Sequence, residues 1–203
     1  MERTVTVTGQ GESRAVPDAA SIRISLHHRA AGVADAVTGA DSAARQAVAT
    51  ARTFTTPQRV ASSGLQVWPA HDHEGRQNGF EARHELSIRC DDVTVAGKLV
   101  GALAAEVGDR LQIDSFSLDV SDPAAAKTAA REAAYADARV KAEHLARLGD
   151  AILLEVLAIA EGGSSGPGPI YAMEAAMGGK RDMSFEPGET AIGATVTVTW
   201  RIE

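Results

Sequence analysis

Residues 122–149 read DPAAAKTAAREAAYADARVKAEHLARLG, and this stretch decides the fold class. Asp122-Pro123 opens it with the residue types preferred at a helix cap and first turn, and Gly149 closes it. Between them Ala126, Ala130, Ala134, Ala138, Ala142 and Leu145 recur at intervals of four or three. That spacing places them on one helical face. An alanine face buries little area per residue, but it lets a helix backbone lie very close to its neighbour. The other faces hold Lys127, Arg131, Glu132, Asp137, Arg139, Lys141, Glu143 and Arg147, a solvated surface with helical charge pairing. The spacing predicts a long helix over residues 123–148, seated tightly on a sheet.

Working outward, the pattern changes period on both sides. Upstream, Leu111, Ile113, Ser115, Ser117 and Asp119 alternate against Gln112, Asp114, Phe116, Leu118 and Val120, a strand. Before it, Val95, Leu99, Val100 and Leu103 mark a helix from about 93 to 106, with Gly108 as its C-terminal cap. Strand signal occupies Val60, Leu65–Trp68 and Phe80–Cys90, and the polar run His71–Gly79, ending in Asn78-Gly79, reads as a hairpin loop. A helix over residues 33–54 shows Val33, Ala36, Val37, Ala40, Ala44, Ala47, Val48 and Ala51 at three-and-four spacing. Thr55-Thr56-Pro57 ends it. The first thirty residues alternate with period two around Pro17-Asp18 and read as an opening hairpin. Downstream, Ile152–Ala160 is an apolar strand and Thr195–Ile202 an alternating one. The expected order is ββαββαβαββ, an α+β fold with a split-βαβ core. We expect one mixed, mostly antiparallel sheet system with three helices packed on one face, forming a single domain over residues 1–203.

Between the last two strands runs a connection over residues 162–189, expected to be a flexible loop. It opens on a Gly/Ser/Pro stretch, Gly162–Pro169, and then carries an apolar island. Within the island Ile170, Tyr171, Met173 and Met177 are expected to form an oligomer contact, because Met-bearing segments suit adaptable surfaces.

Bulk properties bound the function. The chain has 203 residues, 44% of them apolar and only 4% aromatic, so its core rests on Val, Ile, Leu and Ala. A net charge of −7 argues against a phosphate-binding surface and hence against nucleic acid as a partner. No apolar run approaches the roughly 18 residues of a membrane span. The first residues enter a strand pattern without the marks of a secretory signal, so the expected location is cytoplasmic; a leader already removed would instead make the protein periplasmic or secreted. Cys90 is the single cysteine, which excludes an internal disulfide.

Few residues suggest chemistry. Gly9-x-Gly11 lacks the spacing of a dinucleotide loop and reads as a close approach between backbones. Residues 162–169 lack the Lys-Ser/Thr ending of a phosphate loop. His71 and His73, with Asp72 and Glu74, are the only local metal-capable cluster; two histidines fall short of a site unless His27, His28, His84 or His144 join them. Asp114 with Asp119, or Glu85 with Asp91, are conceivable carboxylate pairs, and Cys90 has no histidine near it in sequence. No catalytic residue, cofactor or metal is expected, and the chain reads as no enzyme.

Three landmarks in order, Val7-Thr8-Gly9-Gln10-Gly11 with Pro17-Asp18-Ala19-Ala20, the alanine-spaced helix through Ala130, Ala134, Ala138 and Ala142 to Gly149, and Pro187-Gly188 before a Val-rich final strand, resemble the SIMPL-domain family. The resemblance implies an α+β protein without established catalytic residues. Bacterial relatives include exported, stress-linked and surface-antigen proteins, one of them a large ring-like oligomer, and animal relatives are adaptors in kinase signalling. From this follows the expectation of a non-catalytic, homo-oligomeric binding or scaffold protein with a link to stress response. The alternative is a small-molecule or metal-binding protein using the 71–79 hairpin or the 162–189 loop.

Overall fold

The structure is a computed structural model and describes residues 3–162 and 186–203. Among the described residues the elements are β1 (Thr4–Ala15), β2 (Ala19–Ala30), α1 (Val33–Ala51), β3 (Val60–His71), β4 (Gln77–Cys90), α2 (Val93–Val107), β5 (Leu111–Asp119), α3 (Ala124–Leu148), β6 (Leu153–Glu161) and β7 (Thr190–Ile202). This is the expected order and the expected α+β class. The pairing departs from the expectation of one sheet. The strands form two sheets, β1-β7-β6 and β3-β4-β2-β5, and every pairing is antiparallel. The opening hairpin does not exist: β1 pairs with β7 and β2 with β4 and β5. Period two identifies a strand but not its partner, and Pro17-Asp18 carries the chain from one sheet to the other.

The chain divides into two compact units. One holds Pro17–Ser121; the other holds β1, the stretch from Asp122 through β6, and Gly188–Glu203. The first is therefore inserted in sequence between β1 and α3.

The four-stranded unit realises the split-βαβ plan, with β4 lying between β2 and β3, the two strands that α1 connects. One sheet face presents Ile22, Ile24, Leu26, Leu86 and Ile88, all buried, to Ala43, Ala44 and Ala47 of α1 and to Leu99, Val100 and Leu103 of α2. The N-terminus of α2 is capped by Asp92, whose carboxylate accepts from the Val95 N–H at 2.9 Å. Its C-terminus ends at Gly108, where φ is +64°, a conformation that favours glycine. In β5 strict alternation fails. Ile113 sits opposite Ile24 and Phe116 opposite Ile22, with a register shift between them. The extra residue puts Leu111, Phe116 and Leu118 against one core, although their parity in sequence differs.

The insert is closed at its ends. Asp18 N–H donates to the Asp119 carbonyl at 3.1 Å, and its carboxylate accepts from Ser121 N–H at 2.7 Å and Ser121 Oγ at 2.6 Å. These Ser121 hydrogen bonds hold the Asp18 carboxyl below the ordinary carboxylate range.

In the three-stranded unit α3 lies on β1 and β7. Its buried residues are Ala130, Ala134, Ala138, Ala142 and Ala146. The stripe thus ends on Ala146 rather than the expected Leu145, which is 48% exposed, and Ala126 is only half-buried. The strand explains the strict interval of four. Gly9 backs on Ala134 and Ala138, and Gly11 on Ala130 and Ala134. Two residues along a strand advance about 6.8 Å and four along a helix about 6 Å, so each step along β1 meets one step along α3. A Cβ on Gly9 would lie 2.5 Å from Ala138 N and 2.7 Å from Ala138 Cβ; on Gly11 it would lie 2.8 Å from the Ala133 carbonyl carbon. The two glycines therefore mark a close backbone approach, as the sequence suggests. The far side of β1 and β7 carries threonines bonded across the strands, Thr6 to Thr199 at 2.9 Å and Thr8 to Thr197 at 3.0 Å.

Candidate functional site

The apolar strand expected over 152–160 becomes an edge. β6 reads LLEVLAIAE and pairs only with β7, leaving its other edge without a strand among the described residues. Because α3 sits over β1 and β7, it leaves β6 largely uncovered. Every residue from Glu155 to Glu161 is exposed, including Leu157 at 45% and Ile159 at 60%. Glu155 is paired with Arg201 at 2.9 Å, and Glu161 with Arg131 at 2.7 Å. Between these neutralised ends lie five consecutive uncharged apolar residues, Val156 to Ala160. Edge strands commonly carry charges or proline that discourage pairing, and this central stretch carries neither.

A second cluster lies on the helix-free face of the four-stranded sheet. Residue 114 is the bulged position of β5, so its side chain joins the polar face with Ser25 of β2 and Arg83 of β4. Ser25 Oγ donates to Asp114, Arg83 donates to Asp114 at 2.8 Å and to Ser25 Oγ at 2.7 Å, and Gln112 donates to Asp114 at 2.9 Å. Arg83 also meets Glu85 at 3.4 Å. Burial pushes the Asp114 carboxyl up, but the hydrogen bonds from Ser25 and Arg83 and the guanidinium charge outweigh it and hold it below the ordinary range. Arg83 thus joins one member from each of the two carboxylate pairs read from sequence. Asp119 instead lies at the end of β5 opposite Ala19, and Asp91 pairs with Arg59. The partnership of Ser25 with Asp114 has no signal in the sequence, because it depends on the bulge.

The remaining sequence candidates separate. His71 ends β3, and His73 projects from the turn with its side chain 90% exposed, 3.8 Å from Glu74. Asp72, not Asn78-Gly79, organises that turn: its carboxylate accepts from the Glu74 and Arg76 N–H groups, each at 2.9 Å. Asn78 and Gly79 belong to β4. The Arg76 N–H is the chief reason the Asp72 carboxyl lies below the usual range. His27 meets Glu81 at 3.0 Å, the His28 ring packs over Gly39, His84 meets Ser62 at 3.0 Å, and His144 is exposed on α3. No group of three metal-capable side chains forms among the described residues. Cys90 is buried in the core of the four-stranded unit, and burial pushes its thiol up, away from the reactive thiolate. Ile170, Tyr171, Met173 and Met177, and most of the 162–189 connection, lie outside the described residues. No described helix is long and apolar enough to cross a membrane.

A family model described as SIMPL, Protein of unknown function, matches residues 5–200. No curated protein matches the chain significantly. Among solved structures it is similar to the de novo designed protein Foldit4, at 10% identity over 52% of this chain and 100% of that one, with a TM-score of 0.28. It is similar to AtUAH in complex with glyoxylate at 12% identity and a TM-score of 0.27, over 62% of this chain and 34% of that one, so it spans about a third of that relative. An unknown protein from Galdieria sulphuraria is similar at 10% identity over 90% of this chain and 82% of that one, with a TM-score of 0.26.

Proposed function

The chain belongs to the SIMPL family, and on that premise we propose that it is a non-catalytic, self-associating binding or scaffold protein whose copies join edge to edge through β6. The supporting observation is the open apolar edge, Val156 to Ala160, flanked by glutamates that are already neutralised. Strand addition satisfies an open edge through main-chain hydrogen bonds and takes its specificity from side chains. The occupant that fits best is a second copy. An antiparallel pairing of two β6 strands about Ala158 sets Leu157 against Ile159 and Val156 against Ala160, a self-complementary set suited to a two-fold interface. Glu155 then faces Glu161 of the second copy, a like-charge pair that would oppose association. Arg201 and Arg131 offset that repulsion from within each chain. Burying the exposed part of Leu157 or Ile159 contributes about 1 kcal/mol each.

Light scattering on the purified chain tests this reading. Ile159→Lys, at a position 60% exposed, should lower the particle mass and leave the circular dichroism unchanged. A parent protein that is monomeric throughout, or a variant that keeps the parent's mass, rejects the β6 interface.

A further inference from the structure

We propose that Asp137 and Lys141 of α3 guard the outer edge of β1, so that the three-stranded sheet accepts another copy only through β6 and assembly stops at a closed pair. Given the β6 interface, on which this inference rests, two copies form one six-stranded sheet in the order β1-β7-β6-β6-β7-β1. Both ends of that sheet are β1, and its further growth by strand addition must begin there.

β1 is paired on one side only. It bonds to β7, and its other edge meets no strand among the described residues. In an antiparallel pair the main-chain groups of alternate residues turn toward the partner and away from it. The Arg3 carbonyl accepts from the Ile202 N–H at 3.0 Å, and the register with β7 runs on without a break. Odd-numbered residues therefore face β7, and even-numbered ones face the open edge. From Thr4 to Gln10 the strand carries no charge, and Thr4 to Thr8 are all β-branched. Such an edge invites a partner. Within the strand, the charges that discourage pairing come only beyond Gly11, as Glu12 and Arg14.

At the middle of this edge α3 supplies what a partner strand would. The Gln10 N–H donates to the Asp137 carboxylate at 2.8 Å, and Lys141 Nζ donates to the Thr8 carbonyl at 3.3 Å. The two side chains stand one helical turn apart and also pair with each other at 2.6 Å. An arriving strand must displace a linked carboxylate and ammonium together to reach the Gln10 donor and the Thr8 acceptor. The hydrogen bonds from Lys141 and Gln10 hold the Asp137 carboxyl below the ordinary carboxylate range, so it remains a charged acceptor.

Sedimentation and light scattering on the full chain test the guard. Replacing both residues, Asp137→Ala with Lys141→Ala, removes one charge of each sign, leaves the net charge unchanged and favours the helix. At equal protein concentration the double variant should show a particle mass about twofold or more above the parent's, as outer edges join. Its circular dichroism should match the parent's. Adding Gln10→Pro to the double variant deletes the outward N–H, which β7 does not use, and proline is tolerated on an edge. That triple variant should return to the parent's mass, whereas mass gained through a loosened fold would persist. The guard is rejected if the double variant keeps the parent's mass, or if the proline leaves the gain in place. A monomeric parent rejects the β6 interface alone, and the guard still stands or falls on the mass gained when Asp137 and Lys141 are removed.

Discussion

Adding one methyl group at Gly9 should be among the most damaging small changes in the three-stranded unit. The Cβ of alanine there would stand 2.7 Å from Ala138 Cβ and closer to the backbone of α3. Carbon atoms in favourable contact sit about 3.5–4.0 Å apart, so α3 must retreat by roughly 1 Å. No flexible side chain can absorb the displacement, because the obstructing atoms are helix backbone and an alanine methyl. Overpacking of this kind costs about 1–3 kcal/mol. Against it stands the entropy that glycine loses on ordering, which favours alanine by about 0.5–1 kcal/mol. Overpacking wins, with a net loss of about 1 kcal/mol. At an ordinary urea dependence of about 1–3 kcal/mol per molar, the midpoint falls by roughly 0.3–1 M. The chain reports on itself here: its two tryptophans are divided between the units, Trp68 on β3 and Trp200, 2% exposed, on β7. Fluorescence of Trp200 in a Trp68→Phe background follows the three-stranded unit alone. Gly11→Ala should act alike, and the double variant should cost less than the sum, since one retreat of α3 relieves both clashes. A Gly9→Ala protein as stable as the parent, or more stable, refutes the close approach.

Two further outcomes follow from the four-stranded unit. Asp114 titrates below its unfolded value, so its contribution is fully present above the unfolded pKa and lost as pH falls through the folded one. Asp114→Asn should therefore cost about 2 kcal/mol at pH 7 and flatten the loss of stability on the acid side, read from Trp68 fluorescence; an unchanged acid limb contradicts the assignment. Asp92→Ala removes the cap of α2 and should cost about 1 kcal/mol in the same assay, whereas Asp92→Asn, which retains the accepting oxygen, should restore most of it.

The elements were legible because each rests on local periodicity: Ile22, Ile24 and Leu26 announce a strand, and the run of alanines from 130 to 142 announces a helix face. Partners were not legible. β1 ends up against β7, at the far end of the sequence, and nothing in the alternation of Thr4 to Thr8 encodes that choice. The β5 faces were misread for a related reason. Leu111 and Phe116 differ in parity, and only a bulge, visible once β2 is alongside, brings both to the core. Leu145 was placed on the buried face by average helical spacing, whereas contact with a strand selects the strict four-residue row and hence Ala146.

The insertion of one unit within the other sets an order of events during synthesis. All four strands and both helices of the four-stranded unit have emerged by Ser121, so its sheet can form while the ribosome is still at work. β1 is made before the other described strands and must wait the longest, for Thr4 finds its partner only when Arg201 appears. During that interval its alternating Thr and Val residues lack the strand they pair with in the finished unit. Closing it late is a long-range step of the kind that limits folding rate. The two glycines that admit α3 also lower the β propensity of the waiting segment, so the residues that seal the finished unit restrain its first strand from pairing too soon.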